Sequence, residues 1–170
     1  MPGFTINGGG GGPAHTTETR RNHRWVWRTM DKWNPGREVF ILLQKANRPK
    51  FTNEEPEMHH NQEKAYFVGK QSWDPITLTW YDAEQNPDVS SKIWDWLNIS
   101  NLIPQANVTK PEQYKSQASL EMLDGMGAPT ETWQIYGAWP KEVSYSDLDY
   151  TNTDIALITC VVRFDRAERE

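Results

Sequence analysis

Asp147 and Asp149 stand two residues apart in Ser146-Asp147-Leu148-Asp149-Tyr150, and a pair of carboxylates could share acid and base work in a cell-wall hydrolase. They lie beside an ordinary turn, and no pattern around them marks a substrate groove. Asp147, Asp149, Thr151 and Thr153 also mimic the start of a calcium loop. That loop fails, because position six is Asn152 where Gly is required and position twelve is Ile158 where Glu is required. His59, His60 and His15 could join Glu57 around a metal, but adjacent histidines on a strand point to opposite faces, so they read as polar loop residues. The run Gly8 to Gly12 lacks the Lys-Ser/Thr of a phosphate loop and follows no strand, which leaves a linker. Cys160 sits within an apolar strand and reads as a buried structural thiol; as the single cysteine it forms no intrachain disulfide. Asn98-Ile99-Ser100 and Asn107-Val108-Thr109 match the glycosylation pattern, without a visible secretion route. Arg20, Arg21, Arg24 and Arg28 interleave with Trp25 and Trp27, a set that could stack single-stranded nucleic acid. The reading adopted is a strand with one solvated or subunit-facing basic side. No Ser/His/Asp arrangement with local spacing support appears, and no catalytic residue, metal ligand or cofactor is assigned.

What must position these residues is mostly sheet. The chain has 170 residues, enough for one domain that buries roughly 70% of its unfolded surface. Nine tryptophans stand against a hydrophobic content of only 36% and a mean hydropathy of −0.81, so the core is built from few, bulky residues. A net charge of −5 argues against tight nucleic-acid binding, though it suits a wall that DNA slides past. No apolar run approaches the ~20 residues of a membrane helix, and no secretion signal is read, so the chain is expected to be soluble and cytosolic when made.

Residues 1–19 read as a flexible Gly-rich N-terminal arm and 20–170 as one β domain. Trp25, Trp27 and Thr29 share one strand face, with Arg24, Val26 and Arg28 on the other. Val39 to Gln44 has strand length. Lys45 to Gln62 is polar and long for a loop, with Arg48, Lys50, Glu54, Glu55 and Glu57 available for ion pairs to a neighbouring subunit. Ile76, Leu78 and Trp80 alternate with threonines and Tyr81, a half-buried strand. Asp88 is placed to cap a helix whose face carries Val89, Ile93, Trp96 and Leu97; Trp94 falls off that face, exposed or held by a partner. Ser116, Ala118, Leu120 and Met122 alternate, and so do Ala156 to Phe164. Gly137-Ala138-Trp139-Pro140 reads as a strand, a Trp-Pro corner and a return strand, with Trp139 as a buried anchor because Pro140 biases it toward extended backbone. Six or seven strands and one flanking helix make a mostly antiparallel β-sandwich or small barrel.

Three blocks then stand out: Lys110-Pro111-Glu112-Gln113-Tyr114-Lys115-Ser116; Gly137-Ala138-Trp139-Pro140 with Val143; and Leu148-Asp149-Tyr150. With Thr77-Leu78-Thr79 to Asp82 and the helix through Ile93 to Trp96, they resemble the tail tube proteins of contractile-tailed bacteriophages, over about Pro75 to Asp165. The resemblance implies subunits in sixfold rings that stack into a hollow tube, related in fold to the type VI secretion tube protein. It implies a surrounding tail sheath protein, baseplate and tail terminator proteins at the ends, and genomic DNA passing through the lumen without specific binding. The implied location is the virion tail, after assembly in the host cytoplasm. A tube initiator, a terminator or a baseplate adaptor ring of the same fold, or a secretion-tube-like protein, is the alternative. Under this reading Arg24, Arg28 and Trp94 join the charged residues of Lys45 to Gln62 as expected subunit contacts, and the arginines are expected to pair with acids.

Overall fold

The computed structural model describes residues 20–29, 33, 35–60, 63–84, 88–100, 110–151 and 153–170. The Gly-rich N-terminal arm, His15, Asn107 and Asn152 lie outside the described residues. The first half holds β1 (Trp25–Thr29), α1 (Arg37–Ile41), β2 (Leu43–Ala46), β3 (Phe51–Asn53), β4 (Glu57–His60), β5 (Glu63–Tyr66), β6 (Gln71–Trp73) and β7 (Ile76–Tyr81). The second half holds α2 (Val89–Ser100), α3 (Pro111–Tyr114), β8 (Ser116–Leu123), β9 (Pro129–Tyr145), β10 (Leu157–Arg163) and β11 (Arg166–Arg169).

Seven of these strands form one antiparallel sheet in the order β1-β8-β9-β10-β7-β2, with β11 added beside β9. Alternation decides which faces are inside. Ile76, Leu78 and Trp80 of β7 meet Ile158, Cys160 and Val162 of β10 in register, all of them buried. Trp27, Ala118, Leu120 and Ile135 from the other end of the sheet belong to the same core cluster. One sheet therefore folds back on itself around one core, the expected mostly β, sandwich-like architecture. Val89, Ile93 and Trp96 of α2 close that core, as the helical spacing requires. The Asp88 carboxylate accepts the Ser91 N–H at 3.1 Å, capping the helix start.

The fold-back happens inside β9. This strand runs 17 residues without a return: its first half pairs with β8 and β11, its second half with β10. The expected Trp-Pro corner is thus a bend within one strand. At Gly137 the backbone takes φ 68°, and the pairing with β8 skips a residue between Ser116 and Ala118. This is a bulge, and it changes which residues point inward, from Glu131 and Ile135 before it to Ala138 and Pro140 after it. Pro140 is the fully buried residue here, whereas Trp139 is only half-buried and rests edge-on against Tyr114 at 6.3 Å. The anchor assigned to Trp139 is corrected accordingly: the bulge phase turns Pro140 inward and leaves the indole over the surface.

A Cβ at Gly137 would stand 2.2 Å from the Asp165 carboxylate, which is held by Lys115 at 2.8 Å. Gly137→Val is expected to destabilise the protein by roughly 2–4 kcal/mol, combining left-handed backbone strain with displacement of Asp165. Urea unfolding checks this; a loss under about 0.5 kcal/mol would mean the bend does not depend on glycine.

Two further expectations change. Val39 to Gln44 is not one strand: Arg37–Ile41 is helical and the strand begins at Leu43. Val39 is buried in the core while Leu43 pairs with Trp80, so two short elements divide the apolar run. Alongside the expected helix α2 there are two short helices, α1 and α3. The polar segment from Lys45 is not a loop but the outgoing half of a long hairpin, described next.

Candidate assembly surfaces

The stretch between β2 and β7 is a hairpin arm built from two consecutive ribbons, β3 with β6 and β4 with β5. Backbone bonds bridge the ribbons: the Glu54 N–H donates to the Lys70 carbonyl at 2.9 Å, the Gly69 N–H to Glu54 at 2.7 Å and the Phe67 N–H to Pro56 at 3.1 Å. Gly69 is needed there, since a Cβ would meet the Glu54 carbonyl at 2.7 Å. Its root is clamped to the body. Trp73 packs on Phe51 and Phe164, its carbonyl accepts the Arg163 guanidinium at 2.8 Å, and Asn47 bonds Pro75 and Thr77. Beyond the root, every described side chain from 51 to 68 is exposed. Beyond its root the arm's described residues add no side chain to the core, which leaves them for the expected contacts with a neighbouring subunit.

The charged residues expected to serve those contacts are partly engaged already. Lys50 pairs with Asp74 at 3.1 Å across the root, and Glu57 pairs with Lys64 of the opposite strand at 3.2 Å and with His59 of its own strand at 3.5 Å. Arg48, Glu54 and Glu55 are exposed on the same arm. What the sequence reading missed is apolar: Met58, Tyr66, Phe67 and Val68 all stand in solvent, with Val68 83% exposed. The pairing of β4 with β5, away from the body, puts them there.

The basic strand β1 is tied into its own subunit. Arg20 donates to the buried Glu131 carboxylate, which also receives the Trp133 indole N–H at 2.7 Å and Arg169 at 3.5 Å. Arg28 pairs with Glu121 at 3.4 Å on the neighbouring β8. Arg24 is half-buried at the strand start. These pairings tie the segment before β1 and the end of β11 to β9, and β1 to β8.

Trp94 projects from α2 at 56% exposure, two residues before the fully buried Trp96. The loop between β9 and β10 exposes Leu148, Tyr150 and Ile155 beside Asp147 and Asp149. Asp149 accepts the Thr151 N–H and hydroxyl, both at 2.9 Å, and these bonds hold its carboxyl below the usual range. A general acid needs the opposite shift, so this residue shapes a turn. Burial pushes the Cys160 thiol up to about 12, which suits an inert core residue. Among the described residues, no three His, Cys, Asp or Glu gather closely enough to hold a metal ion.

Two of the sequence blocks singled out above meet in space. Tyr114 rests against Trp139, Lys115 bonds Asp165 opposite the Gly137 bulge, and Ser116 pairs with Ala138. Their shared task is to set the β9 bend, which no linear spacing reveals.

Comparison with known proteins agrees with this architecture. The chain is 25% identical over 170 residues to a tail tube protein of Serratia phage KSP90, covering 96% of each sequence. It superposes on a subunit of the anti-feeding prophage baseplate, solved with sixfold symmetrisation, with TM-score 0.69 at 14% identity, covering 91% of this chain and 97% of that one. It superposes similarly on a subunit of the sheath-tube complex of the extracellular contractile injection system PVC, with TM-score 0.68 at 17% identity, covering 89% and 91%. Residues 37–168, from α1 to β11 with the hairpin arm included, match the family model of the T4-like virus tail tube protein gp19, and the chain belongs to that family of structural tail tube proteins.

Proposed function

We propose that this chain is the repeating subunit of a phage tail tube, closing into sixfold rings that stack into the conduit for genome delivery. The family match carries this reading, because it spans the arm as well as the body. The physical design supports it. Among the described residues, a free-standing subunit leaves the apolar side chains of the arm and of the loop between β9 and β10 in water, and β1, β2 and β11 each with an unpaired edge. Head-to-tail contacts cover such surfaces, closing laterally into rings and repeating axially without limit. The hairpin arm is the natural axial contact, reaching an adjacent subunit with Met58, Tyr66, Phe67 and Val68 and with the charges of Glu54 and Glu55. Partners are further copies, a sheath outside the tube, and baseplate and terminator proteins at its ends. The location is the virion tail, after assembly in the host cytoplasm.

Likeness to a baseplate subunit favours one second reading, an adaptor ring of the same fold that does not polymerise alone. Electron microscopy of purified protein separates the two: long tubes support the main reading, and isolated rings at every concentration support the adaptor.

A conduit wall must not grip phosphates, since each neutralised phosphate adds binding to be undone during ejection. The chain carries 23 acidic against 18 basic residues, and Arg20 and Arg28 are already paired internally. Assembled tubes are therefore expected to show no appreciable retention of double-stranded DNA at physiological salt. Tight retention that weakens steeply with added salt would contradict this and favour a nucleic-acid role for β1.

A further inference from the structure

Among the described residues, the two ends of the main sheet, β1 and β2, have one strand partner each and border the same cleft. Its floor is apolar, with Trp25, Leu43, Leu120 and Met122, and Ile41 stands 68% exposed on its wall. Lys45 and Arg48 line one end, and neither makes an ion pair among the described residues. The cleft thus offers apolar floor, unpaired strand edges and positive charge together. Elsewhere the same chain carries the opposite surface. In Asp147-Leu148-Asp149-Tyr150 the acids alternate with apolar side chains, and Leu148 is 94% exposed. The loop holds both kinds of group within four residues, outside any strand and beside the turn that joins Asp149 to Thr151. This pattern fits an apolar floor with a cationic end.

We propose that Leu148 and Tyr150 of one copy seat in the β1–β2 cleft of the next, with Asp147 and Asp149 facing Lys45 and Arg48. The occupant is a second copy because the complementary surface belongs to this chain and stands in solvent on its own subunit. The contact joins two different patches, so it is head-to-tail and can close a ring. It also covers two free strand edges. The proposal rests on the tube-subunit reading and names its lateral contact.

Cysteine pairing tests it on the full chain. The native Cys160 is buried and does not compete. Ile41→Cys with Leu148→Cys in one chain should cross-link under mild oxidation into a ladder that ends at the ring size. Chains carrying one substitution each should give dimers when co-assembled and nothing when assembled separately. Lys45→Glu with Arg48→Glu should raise the concentration needed for assembly roughly tenfold, with partial recovery on adding Asp147→Lys. If the parent forms rings or tubes and the double-cysteine chain assembles without cross-linking, this contact is wrong while the tube reading stands. Another segment, such as residues 1–19, then fills the cleft. If the parent never assembles, both readings fall.

Discussion

Replacing Trp96 by alanine is expected to cost about 3–5 kcal/mol, lowering the melting temperature on the order of 10 °C. Trp96 is fully buried and stacks on Trp33, with ring centroids 4.4 Å apart and planes 6° from parallel. Trp33 in turn donates its indole N–H to the Lys92 carbonyl at 2.9 Å and meets Phe40 edge-on at 6.0 Å. Removing Trp96 therefore leaves a large cavity and frees one face of the ring that joins α2 to α1. The paired control is Trp94→Ala on the same helix. That side chain stands in solvent, so its loss should change stability by no more than about 0.5 kcal/mol and should weaken assembly instead. Denaturant unfolding of both variants decides the matter. Equal losses would mean that α2 does not face the core as described.

The helix α2 was legible because three local signals agree: a capping Asp88, apolar spacing through Val89, Ile93 and Trp96, and one tryptophan out of phase. Strands β7 and β10 were legible for the same reason, each alternating without interruption against a single core. The bend in β9 was not, because alternation assumes a constant phase. The Gly137 bulge shifts the phase once, and the register shift against Val161 and Val162 of β10 shifts it again. A linear reading sees Gly and Pro there and inserts a turn. The hairpin arm was hidden for a different reason. A ribbon with both faces in solvent has no inside, so nothing in its side-chain pattern distinguishes it from a polar loop. Its assignment rests on backbone pairing alone. The expected contact residues followed from charge, the most visible property of that segment. Once the ribbons form, Lys50 and Glu57 find partners on the arm itself, and the apolar residues are left facing outward.

Removing the arm should separate folding from assembly. Asn53 and Gln71 are paired in the outermost register of the root ribbon, so residues 54–70 can be replaced by Asn-Gly, a two-residue turn suited to a hairpin. The replacement keeps Phe51, Thr52, Ser72 and Trp73, and with them the packing on Phe164 and the bond from Arg163. A cut through one strand only, such as removal of 48–60, would instead strand β5 and β6 without partners. None of the described residues between 54 and 70 is buried, so the shortened chain should melt within a few degrees of the parent. Assembly should fail at tube elongation, leaving monomers or single rings in electron micrographs. A second variant keeps the arm and changes only its exposed apolar residues, Met58→Ser, Phe67→Ser and Val68→Ser. It should reproduce the defect, because exposed ion pairs contribute little singly while buried apolar contacts contribute more. Raising the salt should therefore weaken parent tubes only modestly. Tubes of normal length from either variant would remove the arm from the axial contact and move that role to another surface.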